Sequence, residues 1–510
     1  MRLPEKPCRN SKARFIKPVL FRPNRNPMFD LIKYGNNPCL EDNGEAYTYS
    51  AVHHASAPMG LVFAGRNLIL CLCENTLPSL LGYIASLVHG QVPIMIEAGQ
   101  KTASLLDIIA RYAPTYVWIA ERRRDEVPNG ETVYQHGDYL LLKLPLAPEH
   151  DLPMDPCLQV LLTTSGSTGS SKFVRLSRQN LLANANSIIE YLGIQQDDVA
   201  ITTLPFSYSF GLSIINTHLL VGASIQVTAL NPLNREFWEL VKHKRVKSLS
   251  GVPYTYDMLR RIKFERFDLD AIRYLSQAGG KLSQDGLEYL LRVSKERGFP
   301  FFVMYGQTEA TARMSYLPPE CLERKFGSIG VAIPKGRFAL VDEREAVIDR
   351  PFVKGQLVYF GPNVAMGYAT SRADLALGDE WHGQLLTGDV AYRDEEGFYY
   401  VTGRLKRIVK IFGNRVSLDE VESLLSSSFA GCEFICFGED DRLRIACVGK
   451  IGLEDVTGFA SKQLGLHRAA IKCVALGEIP RLSNGKVNYN ALGELRTQQE
   501  IDCIAMKPRL

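Results

Sequence analysis

Asn67-Leu68-Ile69-Leu70-Cys71-Leu72-Cys73, the small and apolar face of residues 75–89, and Gln91-Val92-Pro93-Ile94-Met95-Ile96 form the stretch that decides the fold. Two apolar runs without polar alternation are the pattern of strands covered on both faces, and the stretch between them carries helical periodicity. Strand, helix and strand at this spacing predict a right-handed parallel crossover. Working outward, Thr102 to Tyr112 reads as a helix and Thr115 to Ile119 as a strand. The unit then recurs: helix Ser177 to Gly193 with Ser177 as its cap, strand Val199 to Thr203, helix Ser213 to Leu220, strand Ser224 to Thr228, helix Arg235 to His243 and strand Ser248 to Val252. Leu275-Ser276-Gln277-Ala278-Gly279-Gly280 ends a further strand in glycines, where backbone can approach a flat ligand. Ligands of open parallel sheets sit beyond the carboxyl ends of the strands, so these loops should converge on one crevice.

Around residue 327 short strands and turns take over, with Gly336 to Val341, Gly355 to Phe360 and Phe398 to Thr402 reading as β-segments. A compact α+β unit of about a hundred residues follows Gly403-Arg404. The expected fold is therefore α/β: a large N-terminal domain of mixed, mostly parallel sheets with helices and a β-rich subdomain over 28–403, then a small α+β C-terminal domain over 404–510. Residues 1–27 carry eight Lys or Arg against one Glu, with prolines at 4, 7, 18, 23 and 27. They read as a basic, disordered leader, or as upstream sequence if Met28 is the functional start.

With 510 residues, more than one domain is expected. A net charge of +4 is too small for a dedicated nucleic-acid binder, and no run reaches the roughly 18 apolar residues of a membrane span. Eleven cysteines without metal-ligand spacing read as reduced thiols of a cytoplasmic protein.

Directly after Leu158-Gln159-Val160-Leu161 comes Leu162-Thr163-Thr164-Ser165-Gly166-Ser167-Thr168-Gly169-Ser170-Ser171-Lys172. Glycines admit an anion close to the backbone, hydroxyls and amides donate to phosphate oxygens, and a lysine neutralises charge. The lysine does not directly follow a glycine, so this is not a Walker loop, and on its own it reads either as a phosphate cradle or as a solvated Ser/Gly turn. Four further motifs follow in order: Met304-Tyr305-Gly306-Gln307-Thr308-Glu309, Leu386-Thr387-Gly388-Asp389 with its acid at a strand end, Thr402-Gly403-Arg404-Leu405-Lys406, and Arg481-Leu482-Ser483-Asn484-Gly485-Lys486.

Together, from about residue 30 to about 495, these motifs resemble the adenylate-forming superfamily of acyl-CoA synthetases, adenylation domains and luciferases. The resemblance implies ATP-dependent activation of a carboxylic acid as its adenylate, with pyrophosphate leaving, then transfer to the thiol of coenzyme A or a carrier-protein phosphopantetheine. It implies that Thr164, Ser165, Gly166, Ser167, Thr168, Gly169 and Lys172 hold the leaving phosphates, that Thr308 contacts the α-phosphate, and that Glu309 holds Mg²⁺. Asp389, assisted by Arg404, would bind the ribose hydroxyls; Tyr305 would lie on one face of adenine and Ala278, Gly279 and Gly280 on the other. Lys486, carried by a mobile C-terminal domain, would bridge the attacking carboxylate and the α-phosphate. Lys406 occupies the pivot, where many relatives carry Asp, and Gly413 would line the thiol tunnel.

The loop departs from the family at Ser171, where proline is usual, and at Phe173, where glycine is usual, so its geometry is expected to differ. Tyr208, in Pro205-Phe206-Ser207-Tyr208-Ser209-Phe210-Gly211, falls at an aromatic gate, and Gly251, Val252, Tyr254, Ala278 and Tyr305 should line the acyl pocket. No aspartate lies between Phe206 and Ile214 to pair with an ammonium, which disfavours an α-amino acid and leaves a hydrophobic carboxylic acid. No carrier domain is evident in the chain, so the acceptor is expected to be free or on a separate acyl carrier protein. Transfer to an amine, a luciferase-like oxidation and an inactive binding protein stand as the alternatives.

Overall fold

The computed structural model describes residues 28–42, 44–145, 152–163, 172–412, 414–482 and 485–494; the leader expected over 1–27 lies outside them. The deciding stretch folds as strand Leu68–Cys73, helix Leu77–Val88 and strand Val92–Glu97, with the strands parallel from Leu68 opposite Val92 to Cys73 opposite Glu97. Every residue of the first strand is buried, which is why it reads as an unbroken apolar run. Gly82 lets the helix lie close on the sheet, since a Cβ there would come within 2.3 Å of the Trp118 ring.

Among the described residues two large sheets dominate. The eight-stranded sheet runs in the order Gly367–Ala369, Phe173–Ser177, Leu158–Thr163, Val92–Glu97, Leu68–Cys73, Tyr116–Ala120, Tyr139–Lys143 and Glu131–His136. The nine-stranded sheet places Phe301–Tyr305, Tyr274–Gln277, Ser248–Gly251, Val199–Ile201 and Ser224–Gln226 side by side, with Ser315–Leu317 and Val331–Ala332 on one flank and Pro38–Asp42 and Glu45–Thr48 on the other. Both sheets are parallel at the centre and antiparallel at the rims.

The largest apolar cluster joins Ile69, Met95 and Trp118 of one sheet to Leu40 and Ile225 of the other, with Leu80, Leu81, Leu212 and Ile215 from helices between them. One of those helices, Ser209–Val221, begins a turn earlier than the sequence suggested. Its first turn reads as a loop because of Gly211, yet a Cβ there would lie 2.3 Å from the Pro205 carbonyl oxygen, so the glycine serves close packing. The helix has no solvated face: Ser213 and Thr217 return their hydroxyls to the Phe210 and Ile214 carbonyls, at 2.6 and 2.9 Å, and Asn216 accepts from Tyr83 at 2.8 Å.

A four-stranded antiparallel sheet follows: Arg337–Val341, Gly355–Phe360, Gln384–Arg393 and Tyr399–Arg404. Here the expectation for Asp389 is corrected, because Asp389 lies inside a ten-residue strand, opposite Arg404, just before a register shift. Gly388, at φ +73°, interrupts the β-pattern and made the segment read as a turn. Beyond it, the hairpin Ile408–Ile411 and Asn414–Ser417, helices Leu418–Ser428 and Leu453–Leu464, and strands Glu433–Glu439, Arg442–Val448 and Ile471–Ala475 enclose a separate core around Leu425, Phe434, Ile445 and Val456. Among the described residues no helix is long and apolar enough to cross a membrane.

Candidate active site

The site begins where strand Phe301–Tyr305 leaves the nine-stranded sheet. At Gly306 an added Cβ would lie 1.8 Å from the Ala312 carbonyl oxygen, so glycine alone permits the fold-back into the short turn Thr308–Ala310. That turn groups Tyr305, Gln307, Thr308 and Glu309. Tyr305 Oη donates to Asp389 Oδ2, Gln307 Nε2 donates to the same oxygen at 2.9 Å, and Arg404 Nε donates to Asp389 Oδ1 at 2.7 Å. Asp389 is only 2% exposed, so these donors compensate a carboxylate withdrawn from water. Burial, reinforced by the Asp389 charge, pushes the Tyr305 hydroxyl well above its usual pKa and keeps it a donor.

On the other side of the turn, Glu309 Oε1 accepts from Tyr368 Oη at 2.9 Å, and the Lys172 ammonium lies 3.2 Å from the centre of the Tyr368 ring. Burial lowers the Lys172 pKa, opposed by Glu309, while Lys406 pushes it further down. Thr308 and Ser209, both buried, share a hydroxyl–hydroxyl bond of 3.2 Å. Thr164, Ser165, Gly166, Ser167, Thr168 and Gly169 lie outside the described residues, as does Ser171. Thr163 and Phe173, which flank the loop, are opposite one another on adjacent antiparallel strands.

The Phe173 side chain turns into the core. It is 1% exposed and meets the Tyr112 ring edge-on at 5.1 Å. Its packing is therefore that of a strand residue in the eight-stranded sheet.

Tyr208, Val252, Ala278 and Gly279 form a second, contiguous wall, while Gly251 packs against Thr255 and Tyr256 and Gly280 against Pro253. Gly279, at φ +86°, has no room for a side chain: a Cβ would meet Tyr208 Oη at 2.9 Å and Val252 Cγ1 at 3.1 Å. Burial raises the Tyr208 pKa to about 12, so its hydroxyl stays neutral. Val252, Ala278 and Tyr208 belong to one apolar cluster. Tyr254 stands apart from it, exposed, with the Arg481 guanidinium 5.1 Å from its ring centre.

Lys486 reaches this wall from the C-terminal unit. Its turn is closed by Gly485 N–H to the Leu482 carbonyl and Leu482 N–H to the Lys486 carbonyl, both 2.8 Å, and Gly485 sits so close that a Cβ would lie 2.7 Å from Val252. The Lys486 ammonium is 5.3 Å from the centre of the Tyr208 ring. Burial brings its pKa down to about 8, Arg404 adding to the effect and Glu309 and Asp389 opposing it. One electrostatic field thus joins Lys486, Arg404, Glu309 and Asp389. Lys406 is exposed in the turn Leu405–Arg407, and Gly413 lies outside the described residues.

Gln307, Tyr368 and Ser209 were not singled out in the sequence. Gln307 sits within a motif and was legible there; Tyr368 lies in a three-residue strand with no local signal. Among the described residues no group of three or more His, Cys, Asp or Glu could hold a metal ion.

Residues 31–369 match the family described as AMP-binding enzyme. The chain belongs to that family. Among curated AMP-binding relatives, a 2-succinylbenzoate–CoA ligase of Bacillus cereus is 28% identical over 344 residues, 66% of this chain and 69% of the relative. One from a Geobacillus species is 27% identical over 352 residues, 67% and 70% of the two chains. Among solved structures, o-succinylbenzoate CoA synthetase (MenE) of Bacillus subtilis with its acyl-adenylate intermediate superposes with a TM-score of 0.73 at 21% identity, covering 92% of this chain and 98% of that one. ATP-bound MatB of Rhodopseudomonas palustris does so with a TM-score of 0.71 at 20% identity, covering 92% and 99%. At these identities the structural likenesses establish the AMP-binding enzyme fold.

Proposed function

We propose that this AMP-binding enzyme is an acid:thiol ligase, in which ATP activates a non-amino, hydrophobic carboxylic acid as acyl-AMP and the acyl group passes to a thiol. The observation that carries the reading is Lys486, brought from the C-terminal unit to the Tyr208 ring and into the field of Arg404, Glu309 and Asp389. In this reading the Lys486 ammonium faces the oxygens on which charge develops as carboxylate attacks the α-phosphate, an electrostatic contribution that needs no covalent intermediate with the protein. Thr308 positions the α-phosphate, Lys172 neutralises the leaving pyrophosphate, and the Asp389 carboxylate, fixed by Tyr305, Gln307 and Arg404, receives the ribose hydroxyls. Mg²⁺, held by Glu309 together with phosphate oxygens, would supply charge neutralisation on the phosphates. The thiol is that of coenzyme A, as the relatives' names state of them, or of a carrier-protein phosphopantetheine.

The test is pyrophosphate release from ATP with a panel of acids that includes 2-succinylbenzoate, with and without coenzyme A. Acid-dependent pyrophosphate and AMP, with a thioester formed only when thiol is present, is the expected result. Folded, ATP-binding protein that releases pyrophosphate with no acid would refute the reading, and light or peroxide without thiol would move it to oxidative chemistry.

A further inference from the structure

Arg313 is 2% exposed, yet among the described residues no carboxylate stands within ion-pair distance of it. Its Nη1 donates to Tyr191 Oη at 3.3 Å and lies 3.5 Å from Met304 Sδ, its guanidinium carbon is 4.9 Å from the centre of the Phe210 ring, and its Nε has no hydrogen-bond partner among the described residues. Two other buried cations have a carboxylate partner: Arg175 is paired with Glu380 and Lys325 with Asp394. Asp198, the carboxylate that shares Tyr274 and His218 as neighbours with Arg313, has both oxygens engaged by Arg273. A guanidinium withdrawn from water without an anion is costly, and an aromatic face compensates only part of that cost.

The position of this cation is informative. Tyr191, Phe210 and Met304 belong to the same apolar cluster as Val252, Ala278 and Tyr208, the wall that Lys486 faces. The Tyr208 and Phe210 rings meet edge-on at 6.4 Å, with the Lys486 ammonium over the first and the Arg313 guanidinium over the second. Each ring of one aromatic pair therefore carries its own cation. Arg313 is rigidly placed, because Asn184 and Asn363 both donate to its carbonyl oxygen, at 2.7 and 3.2 Å.

We propose that Arg313 is a specificity-determining residue that takes a second carboxylate of the substrate, so that the acids activated by this enzyme are dicarboxylic acids with an apolar spacer. The inference rests on the acid-activating reading above. A carboxylate at Arg313 would compensate the buried charge through the planar, two-pronged geometry that guanidinium and carboxylate share. The other carboxyl group would lie at Lys486, where the adenylate forms.

The test compares matched acids that differ by one carboxyl group: hexanoic with adipic, decanoic with sebacic, and 3-phenylpropanoic with its para-carboxylated analogue. Wild-type enzyme should show kcat/KM for acid-dependent pyrophosphate release about tenfold to a hundredfold higher for the diacid of at least one pair. Arg313→Met should lower that diacid-to-monoacid ratio by at least tenfold, chiefly through the diacid's KM, and Arg313→Lys should restore part of it. Circular dichroism melting establishes that each variant is folded, and the wild-type ratio stands without them. Monoacids turning over as well as or better than every matched diacid would overturn the proposal and leave acid activation intact. Pyrophosphate from no acid at all would overturn both.

Discussion

At the scale of single residues the account turns on Lys486. A lysine on an exposed terminal loop would keep its charge far into alkaline solution, but burial against Tyr208 brings this one to about pKa 8. In the proposed reading the cation is the competent form, so activity is expected to be complete below that value and lost as pH rises through it. The kcat/KM for adenylation should therefore be level near pH 7 and fall about tenfold per unit above about pH 8.5, as expected for a single required proton. Lys486→Arg, whose charge does not titrate, should remove the alkaline limb. Lys486→Ala should cost adenylation a factor on the order of 10² to 10³ while ATP binding, followed by calorimetry with a non-hydrolysable analogue, changes little. An unchanged pH profile in the arginine variant would remove Lys486 from the reacting centre. Glu309, Asp389, Lys172 and Lys486 were all legible as motif members, because each sits beside a glycine or hydroxyl turn that marks it. Arg313 was not, since a lone arginine between Ala312 and Met314 carries no signal until the fold shows it buried with no carboxylate beside it among the described residues.

At the scale of elements, the crossover around Leu68–Cys73 was readable because strands covered on both faces leave an unbroken apolar record, and the capped helix Arg178–Leu192 because Ser177 and Asn180 form a reciprocal capping box. Helix Ser209–Val221 and strand Gln384–Arg393 were misjudged at one end or in the middle for the same physical reason. Glycines that serve close packing or a bulge look, in sequence, like glycines that make turns. Phe173, whose bulk was read as bearing on the neighbouring loop, is itself a buried residue of the eight-stranded sheet, packed against Tyr112. Phe173→Ala should cost about 3 to 5 kcal/mol of stability, read by denaturant unfolding, rather than tuning ATP affinity directly. A variant with wild-type stability and altered nucleotide affinity would place the ring in the loop instead. Gly279→Ala, by setting a methyl group against Tyr208 and Val252 at a positive φ, should raise the KM for acid by about tenfold or more, on the order of a misplaced wall in a close-fitting pocket. An unaltered acid KM would take Gly279 out of that wall.

At the scale of the whole molecule, the C-terminal unit stands with Lys486 at the Tyr208 ring. The C-terminal unit has its own core, and its contacts with the larger body include the Arg481 guanidinium over Tyr254, the Lys354–Glu420 ion pair at 2.6 Å and Gly485 against Val252. The exposed Lys354–Glu420 pair contributes at most about 1 kcal/mol, so it opposes an exchange of this junction for another only weakly. We propose that Lys406, exposed between Arg404 and the following strand, is the pivot for that exchange. Lys406→Pro, which fixes φ at that position, should slow thioester formation at least tenfold while acid-dependent pyrophosphate exchange persists; equal losses in both would place the pivot elsewhere. The central claim, that Lys486 completes a site for joining a carboxylate to AMP, is tested most directly by isotope exchange between pyrophosphate and ATP in the absence of any thiol. The account predicts exchange that depends on added acid and is abolished by Lys486→Ala. Exchange undiminished in that variant, or absent with every acid from folded wild-type protein that binds ATP, would contradict it.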